Sequence, residues 1–110
     1  MADYFSPNYN DKKRWASYWH QAQEVLRFNP SSILVIGKGN GLISEYFKLR
    51  GLKTVTLDID KSLNPDVVAS VLSMPFSDNE FDATLCAEVL EHLPYGDFNK
   101  ALSEIKRVTK

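Results

Sequence analysis

The chain has 110 residues, a formal net charge of −1, and 44% hydrophobic and 25% charged residues. That balance excludes a disordered or collagen-like chain and gives no basis for an electrostatic nucleic-acid binder. The length suits a single domain. One cysteine, Cys86, excludes an internal disulfide, and no apolar run exceeds Ile33–Ile36. With no signal-like leader, the expectation is a cytoplasmic protein without a membrane span.

Residues 1–30 read as an aromatic N-terminal segment followed by a helix. From Asp11 to Phe28, Trp15, Trp19, Ala22 and Leu26, flanked by Tyr18 and Val25, recur at helical spacing. This helix either packs on a sheet or forms a flap over a small-molecule site. Residues 31–110 read as the main domain. Ser32–Ile36 is a buried-type strand, and Gly41–Leu49 a helix with Leu42, Ile43, Tyr46 and Phe47 facing inward. Thr54–Leu57 and Val67–Val71 are the second and third strands. A bend at Met74-Pro75-Phe76 and a polar turn at Ser77–Glu80 precede the fourth, Phe81–Cys86. A helical turn at Val89–Leu93 leads to an amphipathic helix, Asp97–Val108, with Phe98, Ala101, Leu102, Ile105 and Val108 on one face. Buried-type strands alternating with helices predict an α/β fold with a mainly parallel, doubly wound sheet.

The first 36 residues contain no glycine; then Gly37, Gly39 and Gly41 fall within five positions, between the first strand and a helix. Glycines there serve a tight turn and allow a ligand to approach the main chain, while the helix start favours a carboxylate or phosphate. Asp58 ends the next strand, seventeen residues past Gly41. A carboxylate there suits the two hydroxyls of a ribose. A dinucleotide fingerprint would need glycine where Leu42 stands.

In sequence the stretch Ile33-Leu34-Val35-Ile36-Gly37-Lys38-Gly39-Asn40-Gly41 resembles the first motif of the class I S-adenosylmethionine-dependent methyltransferases, especially the small-molecule enzymes of quinone biosynthesis. Val55–Asp60, Leu72–Asp82 and Cys86–Leu93 are similar to the next three motifs in order, and Ala101–Val108 also fits. The resemblance implies a Rossmann-like fold with four strands ordered 3-2-1-4, S-adenosylmethionine as cofactor and methyl transfer to a small molecule. It implies that Gly37, Gly39 and Gly41 lie under the methionine part, that Asp58 takes the ribose, and that Ile59 packs on adenine. It places Val71 and Leu72 along the adenine edge, and Cys86 and Ala87 near the sulfonium. Two positions depart from the family pattern. Val35 and Ser70 stand where acidic residues are usual, which predicts weaker cofactor binding by about 1–2 kcal/mol at each, the difference between charged and neutral hydrogen bonds. Lys38 either pairs with the cofactor carboxylate or points to solvent.

His92, beside Glu88 and Glu91, is weighed as a base and read instead as a structural residue; no catalytic residue is assigned. Cys86 reads as a strand thiol. No spacing suggests a metal; Asp58 and Asp60 are better explained by a ribose. The alternatives to a methyltransferase are a non-catalytic cofactor-binding or structural module and, less favoured, an NAD-dependent oxidoreductase. An apolar fourth strand at the sheet edge predicts homodimer pairing, or coverage by Tyr4–Tyr9.

Overall fold

The computed structural model describes residue 5, residues 12–86 and residues 89–110. In chain order it forms α1 (Lys12–Leu26), β1 (Ser32–Ile36), α2 (Leu42–Leu49), β2 (Lys53–Asp58), β3 (Val67–Val68), β4 (Ala83–Cys86) and α3 (Phe98–Val108). Short 3-10 turns occupy Lys61–Leu63, Leu90–His92 and Tyr95–Asp97. The strands make one parallel sheet in the order β3-β2-β1-β4, the expected 3-2-1-4 arrangement.

β1 is the centre because all four of its branched side chains are buried, two on each face. Ile33 and Val35 pack with Ala22 and Val25 of α1 and Ile43 and Phe47 of α2. Leu34 and Ile36 point the other way, to Leu57, Met74, Phe81 and the α3 residues Ala101 and Val108. This period-two division puts helices on both sheet faces, the Rossmann-like arrangement.

Element ends shift where polar side chains take over from the backbone ladder. The third strand, expected over Val67–Val71, is paired only at Val67 and Val68, because β2 ends at Asp58. The chain then turns: Ser73 N donates to Ser70 O at 3.1 Å, and Leu72 N to Ser70 Oγ at 3.1 Å. The fourth strand begins at Ala83 rather than Phe81. Asp82 directs its carboxylate at the start of β1, accepting from Ser31 N at 2.7 Å and Ser32 N at 3.2 Å, and meets Lys110 Nζ at 3.0 Å. Phe81 bridges Thr109 in parallel: Phe81 N donates to Val108 O at 3.0 Å and Lys110 N to Phe81 O at 2.9 Å. The expectation of an unpaired edge along Phe81–Cys86 is therefore corrected at its first residue. The covering segment Tyr4–Tyr9 lies outside the described residues, apart from Phe5, an exposed turn residue.

The aromatic stripe of α1 also divides differently. Ala22 and Val25 are buried, but Trp15 is 54% and Trp19 59% exposed. A helix of 15 residues runs about 22 Å, while the five residues of β1 run only about 17 Å. α1 is thus longer than β1 by about one helical turn. Trp15 and Trp19 face a groove against Leu42 and Tyr46 of α2.

Two connections are held by side chains. Between β2 and β3, Asp66 Oδ2 accepts from Thr56 N at 2.9 Å and Thr56 Oγ1 at 3.1 Å, while Asp66 N donates back to Thr56 Oγ1 at 2.9 Å. Burial pushes the Asp66 carboxyl up, but the two donors of Thr56 together with the nearby charges of Lys48 and Lys38 hold it below its ordinary value. Before β4, α3 grips the Met74–Phe76 bend. Glu104 Oε2 accepts from Met74 N at 2.8 Å, and Arg107 donates to Phe76 O at 2.7 Å and Met74 O at 3.0 Å. The Arg107 guanidinium holds Glu104 below the usual carboxylate range, and Glu104 in turn raises Arg107.

Thr56→Val removes the acceptor of Asp66 N, so the urea midpoint should fall by the equivalent of about 1 kcal/mol at unchanged slope; an unshifted midpoint would contradict the tie. Asp82 is held below its ordinary 3.8 first by Ser31 N–H and then by Lys110. A depressed folded value means its stabilisation is complete above the unfolded value and disappears as pH falls through the folded one. The melting-temperature gap between wild type and Asp82→Asn should therefore be open at neutral pH and close in acid below 3.8; a gap that ignores pH would refute the assignment.

Candidate functional site

The candidate site lies at the C-terminal ends of β1, β2 and β4, where crevices open in parallel α/β sheets. β1 is paired at Ile36 with both Leu57 and Cys86, which brings the three strand ends side by side. The chain leaves β1 through Gly37, Gly39 and Gly41, all at positive φ (84°, 58° and 84°), a conformation in which a Cβ is strained. Gly37 N donates to Leu57 O at 2.8 Å, which carries the loop over the end of β2. Asn40 Oδ1 accepts from Leu42 N at 3.0 Å and Ser44 Oγ donates to Gly41 O at 3.0 Å, so the loop's own side chains fix the start of α2.

Asp58 faces this loop from the end of β2. Its Oδ2 accepts from Lys38 N at 2.8 Å and its Oδ1 from Asp60 N at 2.9 Å. Each carboxylate oxygen has a second lone pair, so the held group can still accept from two hydroxyls. The Lys38 ammonium turns away to the β2–β3 connection, donating to Leu63 O and Asn64 O at 2.9 Å each. Asn64 takes the left-handed conformation, at φ 54°, that presents this turn. Lys38 thus joins the glycine loop to Asp58 by its backbone and to the next connection by its side chain.

The remaining expected residues fall along the same edge. Ile59 is 74% exposed just past Asp58, an apolar side chain open to a partner. Ala69 N donates to Asp58 O at 3.2 Å, so the Ser70–Leu72 turn follows directly beside it. Val71 is buried in the core, and Ser70 Oγ is used on Leu72 N. Cys86 ends β4 and is half-buried. Ala87 and Glu88 lie outside the described residues. His92 is exposed on its 3-10 turn, and His20 stands edge-on to Trp19 on α1. Among the described residues, no group of three or more His, Cys, Asp or Glu side chains is placed to hold a metal, and no helix is long and apolar enough to cross a membrane.

Two wall residues were not singled out by the sequence as ligand contacts. Tyr18 and Gln21 of α1 line a cavity of about 40 Å³ above Gly37 and Gly39, with Val35 and Leu85 on its other side. Tyr18 was read only as a flank of the packing stripe, and Gln21 was not singled out at all. The donor set and glycine backbone fit an adenosine ligand bearing an amino-acid tail: a pre-held carboxylate for a ribose, an exposed apolar side chain beside it, and a loop without Cβ atoms.

Residues 34–110 match the methyltransferase domain family. An uncharacterized protein of Methanocaldococcus jannaschii is 37% identical over 89 residues, covering 74% of this chain and 38% of that protein. The demethylmenaquinone methyltransferase of Renibacterium salmoninarum is 33% identical over 88 residues, covering 71% of this chain and 36% of the enzyme. The chain thus spans well under half the length of either relative. Among solved structures, the Burkholderia thailandensis 1,6-didemethyltoxoflavin-N1-methyltransferase, with bound 1,6-didemethyltoxoflavin and S-adenosylhomocysteine, superposes with a TM-score of 0.73. It is 17% identical, and the match covers 86% of this chain and 48% of that one. With the sheet order, the glycine loop and the family match in agreement, this chain belongs to the methyltransferase domain family.

Proposed function

We propose that the crevice binds S-adenosylmethionine and that the chain forms the cofactor-binding part of a methyltransferase acting on a small molecule. The observation carrying this reading is Asp58, whose two oxygens are each fixed by a backbone N–H beside the glycine loop. When bound, the cofactor supplies a methyl group activated by a sulfonium. Asp58 accepts from the ribose hydroxyls. The backbone from Gly37 to Gly41, Lys38 included, lies under the methionine part. Ile59 covers one adenine face, and Ser70, Val71 and Leu72 follow its edge. Cys86 and Ala87 floor the region of the sulfonium. Methyl transfer needs chiefly alignment of the incoming nucleophile and exclusion of water, so a rigid crevice is the main contribution of these residues.

A small-molecule acceptor agrees with the substrates named for the Renibacterium and Burkholderia enzymes. A cytoplasmic setting agrees with the single cysteine. Homodimer pairing along β4 would have to use Ala83–Cys86, since Thr109 takes the place beside Phe81.

Calorimetry with S-adenosylhomocysteine tests the reading. Asp58→Ala should weaken binding by about 1–3 kcal/mol, the loss of a charged hydrogen-bond partner. Equal affinity in the variant would overturn the ribose assignment, and tighter binding of NAD than of S-adenosylhomocysteine by the wild type would return the oxidoreductase alternative.

A further inference from the structure

The first turn of α1 holds Lys12, Lys13 and Arg14 and no acidic residue. A helix N-terminus carries a partial positive charge and favours anions, so three cations there oppose the helix dipole. From Lys12 to Gln23 the sequence contains no carboxylate, although the whole chain is net −1. Helix stability therefore does not account for this charge. The same half of α1 carries both tryptophans of the chain. Lys12, Trp15 and Trp19, at i, i+3 and i+7, share one helical face. Both indoles are more than half exposed. With Leu42 and Tyr46 of α2 they line an apolar groove of about 160 Å³ whose described lining includes no charged side chain. Cations flank it on both helices. Lys12 stands one helical turn before Trp15, and on α2 the Arg50 guanidinium lies 5.9 Å from the centre of the Tyr46 ring. The neighbouring acid of α2, Glu45, is paired with Lys48 at 3.7 Å.

Exposed indoles beside an apolar groove with cations around it suit the boundary of a bilayer. An indole buries its ring among acyl chains and keeps its N–H at the headgroups, while lysine stems lie on the apolar surface and their ammonium groups reach anionic headgroups. A protein segment fits less well. Its backbone N–H and C=O groups need partners on entering an apolar groove, and the Tyr46 hydroxyl there already accepts from Arg50 at 3.1 Å. We infer that the N-terminal half of α1, with the adjoining edge of α2, docks on an anionic lipid bilayer, Trp15 and Trp19 entering the interface and Lys12 and Lys13 meeting the headgroups. At about 22 Å, α1 is shorter than a hydrocarbon core of about 30 Å, so it lies along the surface. Tyr18 lines both this groove and the cavity above the glycine loop, so the docked surface adjoins the candidate crevice. The inference does not depend on the cofactor reading.

Both tryptophans lie in the docking surface, so their emission reports on it directly. The full chain is mixed with vesicles of phosphatidylcholine alone and of phosphatidylcholine and phosphatidylserine in equal parts, and sedimentation and tryptophan emission are read together. The second vesicles should sediment the chain and shift its emission to the blue; the first should do so far less, and added salt should weaken both effects. Lys12→Ala and Lys13→Ala should each weaken the binding about fivefold. Trp15→Ala, which keeps Trp19 as reporter, should weaken it further, and Lys53→Ala, at the start of β2, should leave it unchanged. No sedimentation with the anionic vesicles would overturn the proposal, as would sedimentation with unchanged emission. An effect of Lys53→Ala equal to that of Lys12→Ala would also overturn it, since the attraction would then have no preferred face. A blue shift that grows with protein concentration without vesicles would assign the groove to a second copy instead, and an equal shift with poly-glutamate would assign it to an acidic protein.

Discussion

Lys38 donates its backbone N–H to Asp58 Oδ2 across 2.8 Å, and together with the bond from Gly37 N to Leu57 O it sets where the glycine loop lies against the end of β2. The loop has few other ways to be positioned, because three of its five residues are glycines at positive φ with no side chain to pack. The same residue then extends its ammonium to two carbonyls of the β2–β3 connection. A single lysine therefore sets the relative position of the loop, the carboxylate and the connection that leads toward Ser70–Leu72. A cofactor lying across all three would meet a surface arranged before it arrives, which lowers the ordering cost of binding.

Carboxylates perform the equivalent task elsewhere in this short fold. Asp66 ties its connection to Thr56, Asp82 ties the start of β4 to the start of β1, and Glu104 with Arg107 ties α3 to the Met74–Phe76 bend. In each case a charged side chain satisfies backbone groups that no ladder reaches, at a point where a strand or bend begins. The strands are short, two to six residues, so such ends are a large part of the structure. Charge-assisted bonds at the ends offset the limited backbone pairing between them.

The central elements were legible in the sequence because burial on both sides leaves a plain mark: Ile33–Ile36 is a continuous run of branched residues stopped by glycine. The glycine spacing and Asp58 located the crevice for the same reason, since special backbone angles and an isolated carboxylate at a strand end are chemical rather than statistical signals. The boundaries of β3 and β4 were not legible: a tight turn at Ser70 ends the first, within a run that reads as extended, and Asp82 delays the second through a bond to the start of β1 that no local pattern encodes. The path of the Lys38 ammonium depended on the distant turn at Asn64. Tyr18 and Gln21 were hidden by α1 itself: helical periodicity marks a face, and does not show which turns of it stand beside the glycine loop.

The central claim is that Gly37–Gly41 and Asp58 form one pre-arranged ligand crevice with the turn after β3. Amide chemical-shift mapping of the labelled chain during titration with S-adenosylhomocysteine tests it most directly. Shifts concentrated at Gly37, Lys38, Gly39, Asp58 to Asp60 and Ser70 to Leu72, saturating together at one affinity, are the predicted result. Saturable shifts confined to other surfaces, or a spectrum unchanged at millimolar ligand, would contradict the account.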